Sequence, residues 1–252
     1  MIEVKKRGKI KTVFFNKEPA NSLNLEFLKE IFDTLSEIEK DNNVCFVVLA
    51  SKDTASFSSG LDLKELAEVQ AKTEKNIIKA VKMVHKIVRL ILNSNKIYIA
   101  SLSGSVMGSA ASIVFACDFK ISTSQTWFWL PDPLYVGFLS DGGIDIITNT
   151  CGLAEAKKFC LINEIINVEY AKSIGLINEI VENESLEDYI NEFCQRLRKN
   201  SYYTMQNTKN IINKNINKKF RLSKLLKTVY SKKMKECIRH YALKMDSEEF
   251  TD

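Results

Sequence analysis

Two short glycine-bearing segments carry the residue types best suited to chemistry in this chain: S-S-G-L-D-L at 58–63 and S-G-S-V-M-G-S-A-A-S at 103–112. In each, a glycine stands just before an expected helix start, where backbone N–H groups lack an intrahelical acceptor and the helix dipole adds partial positive charge. Two such ends brought together would hold an oxyanion. A pair of N–H donors aimed at a thioester carbonyl stabilises the enolate left when a neighbouring C–H proton departs, an effect worth about 3 kcal/mol per donor. Small side chains at Gly108, Ser109 and Ala110 would let an acyl group reach that backbone. The same residues would equally serve close helix packing, and both readings stay open at this point.

Other chemistries find less support. The chain has no G-x-x-x-x-G-K-[ST], G-x-G-x-x-G, H-E-x-x-H or G-x-S-x-G pattern, which argues against nucleotide hydrolysis, dinucleotide redox chemistry and serine hydrolysis. His85 and His240 each fall within a helical pattern and read as surface or packing residues. The six cysteines are scattered, with no C-x-x-C pair and no histidine at ligand spacing. No metal site or disulfide framework is therefore expected, and the thiols read as small buried hydrophobes.

The scaffold around these segments alternates strands with helices. Residues 10–15 are β-branched and aromatic and run into Pro19 and Asn21, a strand and its exit. Apolar residues at 25, 28, 31, 32, 35 and 38 recur every three or four positions, predicting an amphipathic helix over 23–38. The near-continuous apolar run at 44–50 predicts a strand buried on both faces. A Ser-rich loop at 51–60 leads to a long helix over 63–92, then a strand at 97–101. Beyond lie a strand at 119–122, an aromatic loop at 127–135, and a turn at Asp141, Gly142 and Gly143 that opens another helix. Gly175 is expected to cap the helix before a strand at 176–181, and helices follow at 186–198, 203–216 and 220–245. An α/β body over 1–185 and a helical region over 186–252 result, the latter lean enough in apolar residues that it must pack on the body or on a neighbouring subunit.

Composition bounds the environment. The longest apolar run is far shorter than the roughly 20 residues a membrane-crossing helix needs, and no apolar signal segment follows the basic N-terminus, so a cytoplasmic protein is expected. The net charge of +5 conceals an asymmetry: residues 196–244 hold 15 Lys or Arg against Glu236 alone. Solvated helix faces account for such a patch, as does attraction to phosphates or an acidic carrier protein. Nothing in it has the aromatic interleaving of a nucleic-acid surface, so nucleic acid is not the expected partner.

The order of landmarks resembles the crotonase superfamily, the enoyl-CoA hydratase and isomerase group. The matching pieces are P-A-N-S-L-N at 19–24, F-S-S-G-L-D-L-K-E at 57–65, G-S-V-M-G at 104–108 followed by A-C-D ending at Asp118, F-W-L-P-D at 128–132 and A-K-S-I-G-L-I at 171–177. The resemblance implies a β-β-α superhelical α/β core with C-terminal helices that take part in homotrimer or hexamer contacts. It also implies enolate chemistry on an acyl thioester, in fatty acid metabolism and with no cofactor beyond the thioester itself.

Carried over by position, the resemblance makes the backbone N–H groups of Leu61 and Ser109 the oxyanion donors. It puts Leu23, Gly60, Asp62, Gly108 and Ser112 in segments that line the CoA-thioester groove. Hydratases of the family place two glutamates beside the acyl chain; here those positions hold Ser112 and Asp132. Serine cannot ionise, so hydration is disfavoured and Asp132 is left as the acid that moves a proton, as in enoyl-CoA isomerases. Asp141 lies one position from a second carboxylate of dienoyl-CoA isomerases, and is otherwise a helix N-cap. The residues Trp127, Phe128, Trp129 and Tyr135 either wall the acyl pocket or belong to the core. Two further readings stand beside the isomerase: a dehydratase or decarboxylase acting on an acyl-carrier-protein intermediate of polyketide synthesis, and a non-catalytic homologue that binds acyl-CoA or RNA.

Overall fold

The computed structural model describes residues 1–62, 65, 73–131 and 142–217. Asp132 and Asp141 lie outside the described residues, as do Tyr135, Cys237, His240 and the helix expected over 220–245.

The chain opens with a hairpin, β1 (Ile2–Arg7) and β2 (Ile10–Phe15), turned at Gly8 with φ +61°. Helix α1 (Leu25–Lys40) follows. Asn24 caps it, its side chain accepting from the Phe27 N–H, and Phe27, Leu28, Ile31, Leu35 and Ile38 line its buried stripe. Burial of such side chains contributes about 2 kcal/mol each.

Three strand pairs then shuttle between two sheets. Strand β3 (Phe46–Ser51) passes to β4 (Ser56–Ser58), and helix α2 (Thr73–Asn93) comes next. Strand β5 (Ile97–Leu102) passes to β6 (Ser105–Met107), followed by α3 (Gly108–Ala116). Strand β7 (Phe119–Thr123) passes to β8 (Trp127–Trp129). The first strand of each pair joins the six-stranded sheet β1-β2-β3-β5-β7-β10, and the second joins the four-stranded sheet β4-β6-β8-β9. Apart from the β1–β2 and β8–β9 pairs, all ladders are parallel. This is the β-β-α superhelix that the sequence motifs implied. It closes through α4 (Gly143–Ile162), β9 (Ile166–Asn167), α5 (Val168–Ser173) and β10 (Glu179–Val181), with α6 (Leu186–Leu197) and α7 (Tyr202–Asn217) beyond.

The large sheet is buried on both faces, as the apolar run at 44–50 requires. Val47 and Leu49 face the main core with α1, α2 and α3, whereas Phe46 and Val48 face a second core with Ile190 and Cys194 of α6. Described residues 186–217 thus pack on the body of their own chain. Of the described cysteines, Cys45, Cys117 and Cys194 are buried and Cys151 and Cys160 half-buried. No helix among the described residues is long and apolar enough to cross a membrane.

Five short elements escape the sequence patterns. The segments 2–7, 56–58, 105–107, 127–129 and 166–167 are strands, 127–129 within what reads as an aromatic loop. Apart from the first they have two or three residues, too few to display a period of two, so pairing with neighbours decides them. The last strand starts at Glu179 rather than 176, because Leu176 and Ile177 bond back to the Ala171 carbonyl and complete the end of α5, where Gly175 takes φ +83°. The N-cap of α4 is Gly142, so that capping position does not belong to Asp141.

A buried polar cluster ties α7 to the body. Lys209 Nζ donates to Asp118 Oδ2 and to the Lys96 carbonyl, both at 2.7 Å, while Asp118 also accepts from the Tyr98 N–H at 2.8 Å. Burial pushes the Asp118 carboxyl up from its ordinary value and the Lys209 ammonium opposes that rise. Removing the cation would strand a desolvated carboxylate. Lys209→Met is therefore expected to cost about 3 kcal/mol in urea unfolding, and Asp118→Asn in the same chain should return part of it. Losses that simply add would show the two groups to be uncoupled.

At the surface, Asp41 is held at a pKa of about 2 by the Lys11 ammonium, then by the Asn43 N–H and the Lys6 ammonium. Its folded pKa lies below the unfolded value of about 3.9. This contribution is complete above that value and is lost as pH falls through about 2. Melting temperature in Asp41→Asn should accordingly decline less steeply than in the parent between about pH 4 and pH 2.

Candidate functional site

The two glycine-bearing segments meet. Strands β4 and β6 run side by side, Ser56 opposite Ser105 and Ser58 opposite Val106. Each leaves the small sheet through a glycine in the left-handed region, Gly60 at φ +82° and Gly108 at φ +49°. A Cβ on Gly60 would lie 2.8 Å from the Met107 carbonyl oxygen and 3.6 Å from the Gly108 Cα. The backbones are in contact, and only a residue without a side chain fits between them.

Each glycine is followed by an N–H that no acceptor takes among the described residues, at Leu61 and at Ser109. The reason differs in the two cases. Ser109 lies in the first turn of α3, where N–H groups have no intrahelical partner. Leu61 pairs with Leu23 in a parallel bridge that uses the carbonyl of Gly60 (to the Leu23 N–H, 2.8 Å) and the N–H of Asp62 (to the Leu23 carbonyl, 3.2 Å). In an extended chain alternate peptide groups point to opposite edges, so the Leu61 N–H faces away from Leu23. Two free amide donors thus stand just beyond two touching glycines.

A frame that sequence reading missed holds the first turn. Asn21, buried and at φ +50°, donates from Nδ2 to the Phe57 carbonyl (3.0 Å) and to Ser51 Oγ (2.8 Å), and its Oδ1 accepts from the Lys17 N–H. Ser58 Oγ donates to the Asn21 carbonyl at 2.7 Å and accepts from the Gly60 N–H at 3.2 Å. Asparagine in P-A-N-S reads only as a turn former; its buried side chain is what fastens the turn to strand β4.

The remaining candidates fall into different surroundings. The Leu23 side chain is fully buried in the core, and its backbone pairs with Leu61. Asp62 is engaged locally: Oδ2 accepts from Ser22 Oγ at 3.0 Å, with Lys17 Nζ at 3.9 Å, and Oδ1 accepts from the Glu65 N–H. The carboxylate thereby ties the 57–65 segment to 19–24. Ser112 is fully buried on α3, one turn after Ser109, and its hydroxyl has no hydrogen-bond partner among the described residues. Helical hydroxyls elsewhere in the chain, at Ser36, Thr148 and Thr150, donate to the carbonyl four residues back. An unpartnered buried hydroxyl is costly, and Ser112 keeps one on the helix that carries the second donor.

The aromatic cluster divides by strand alternation. Phe128 is core, its ring 5.7 Å from that of Phe115, whereas Trp127 and Trp129 are half-buried on the other face of β8. Trp129 pairs with Met107, so β8 runs alongside the segment that enters the second glycine turn. Gly104 has a separate purpose: a Cβ there would sit 2.0 Å from the Ala55 carbonyl oxygen, so this glycine lets β6 pass over the 55–56 backbone. The small residues at 103–112 therefore serve close packing at Gly104, while at Gly108 they flank an open amide. Among the described residues no group of His, Cys, Asp or Glu is arranged to hold a metal ion.

Comparison with known proteins bears on the family and the fold. The family model described as enoyl-CoA hydratase/isomerase matches residues 5–249. The short-chain-enoyl-CoA hydratase of Clostridium acetobutylicum is 29% identical over 218 residues, covering 84% of this chain and 80% of the relative. The trans-2-decenoyl-[acyl-carrier-protein] isomerase of Streptococcus mutans is 28% identical, covering 77% and 74%. Among solved structures, human mitochondrial delta3-delta2-enoyl-CoA isomerase superposes with a TM-score of 0.88 at 19% identity, over 98% of this chain and 99% of that one, a likeness of fold.

The contact at Gly60 is testable by comparison with Gly8, which has positive φ but nothing within 4 Å of an added Cβ. Gly8→Ala should cost about 1 kcal/mol in denaturant unfolding, from backbone strain alone, and Gly60→Ala about 2 kcal/mol or more. Equal losses would mean that the two turns are not pressed together.

Proposed function

The chain belongs to the enoyl-CoA hydratase/isomerase family, and from that premise we propose that it isomerises the double bond of an enoyl thioester. The N–H groups of Leu61 and Ser109 hold the enolate oxygen and Asp132 moves the proton. The observation that carries this reading is the pair of unpartnered amide donors beyond the touching glycines, joined to a serine at the position where the family's hydratases keep their first glutamate.

The steps follow from charge and proton accounting. The Asp132 carboxylate takes a proton from C2 of a 3-enoyl thioester, and the electron pair spreads over C2, C4 and the thioester oxygen. The two amides stabilise the charge on that oxygen, where a preorganised donor is worth most. The same carboxylic acid then delivers the proton to C4, leaving the double bond between C2 and C3. Hydration instead requires an activated water, for which two carboxylates are the efficient arrangement, and Ser112 supplies no charge.

A second reading keeps the reaction and changes the carrier. The relative from Streptococcus mutans has an acyl-carrier protein in its name, and the 15 basic residues in 196–244 would suit an acidic carrier surface. A homotrimer or hexamer is the assembly proposed for either carrier.

Asp132→Asn should lower the isomerisation of a 3-enoyl-CoA by about 10³-fold while butyryl-CoA binding is retained, a loss typical of removing a general acid–base group. The parent should hydrate crotonyl-CoA far more slowly than it isomerises. Equal rates in parent and variant would remove Asp132 from the mechanism, and hydration outpacing isomerisation would overturn the assignment.

A further inference from the structure

Helix α3 has two functional ends. Its first turn carries the amide of Ser109; its last turn and the residues beyond it, about 12 Å along the axis, border a cavity of about 670 Å³ between α3, α4 and α7. That volume lies within the range of small-molecule sites. Leu92, Phe115, Ile146, Met205 and Ile212 give the cavity apolar walls, and three charged residues, Asp118, Lys120 and Lys209, also line it.

The charges do not balance. Asp118 is neutralised by Lys209 at 2.7 Å, and Lys209 spends a second donor on the Lys96 carbonyl. Lys120 is nine-tenths buried, yet among the described residues its ammonium makes one hydrogen bond, to the Cys117 carbonyl at 3.2 Å. Among the described residues it has no carboxylate within 4.0 Å. An ammonium has three donors, and a buried one without a counter-ion is unfavourable. Among the described residues one positive charge is thus left over beside an apolar cavity.

We propose that this cavity binds a medium-chain carboxylate, its head on the Lys120 ammonium and its alkyl chain along the walls formed by α3, α4 and α7. An anion there supplies what the described residues do not. Burial pushes the Lys120 ammonium down from its ordinary value, against the upward pull of Cys117 and Asp118, and a bound carboxylate would add to that upward pull. The site is separate from the thioester site, being at the opposite end of α3, and it does not depend on which reaction the thioester undergoes.

Octanoate titrated into the full chain in a calorimeter tests this. One saturable site is expected, with binding at least 10-fold weaker for 1-octanol and for Lys120→Met, and within about 3-fold of the parent for Lys120→Arg. Ile212→Trp, which narrows the cavity and leaves the charge in place, should weaken octanoate binding by a similar factor and keeps the test decisive if Lys120→Met does not fold. Saturating butyryl-CoA should leave octanoate bound. Absence of octanoate binding, an affinity unchanged by Lys120→Met or by Ile212→Trp, or displacement by butyryl-CoA would each overturn the proposal. None of these results bears on whether the thioester is turned over.

Discussion

The approach of one backbone to another at Gly60 and Met107–Gly108 is the constraint on which the candidate site rests. Two segments separated by more than 40 residues in the chain touch without an intervening side chain, and each has just left a strand of the same small sheet. Both turns take positive φ, and the N–H that follows each glycine is one that no acceptor takes among the described residues. The family's chemistry needs two fixed dipoles facing one oxygen, and dipoles already fixed by folding need no reorganisation when charge develops.

Rigidity at this point is built from polar groups that are otherwise awkward to bury. Asn21 and Ser58 satisfy one another's surroundings and fasten the first turn, and Asp62 ties the same loop to the 19–24 segment. The second turn is fixed by α3 itself, buried at every residue from Gly108 to Ala116, as a helix is when it runs through a core. Such a helix cannot shift at one end alone. Its far end meets the Asp118–Lys209 pair and the cavity at Lys120, so the two ends share one rigid element while differing in chemistry.

The basic C-terminal region and the buried Ser112, whose hydroxyl has no partner among the described residues, belong to a fold that hosts several reactions. Fold likeness at about 20% identity does not choose between hydratase and isomerase. The choice turns on ionisable groups, and replacing a carboxylate by a hydroxyl at one position changes what can be done with a water molecule without changing the scaffold.

Much of the architecture was legible in the chain because it depends on local periodicity. The stripe at 25–38 foretold α1, and the apolar run at 44–50 foretold a strand with core on both sides; ordered motifs pointed to the superhelix. The strands at 56–58, 105–107 and 127–129 were not legible, since three residues carry no period and only partners in a sheet define them. The glycines at 60 and 108 announced an unusual backbone, but not that the two would touch. Nor did composition reveal that Asn21 would be buried, that Leu23 would bury its side chain and pair through its backbone with Leu61, or that Lys120 would have no counter-ion among the described residues. Sequence fixes which conformations each segment prefers, whereas contact, burial and unbalanced charge are properties of segments brought together, and these only the tertiary structure decides.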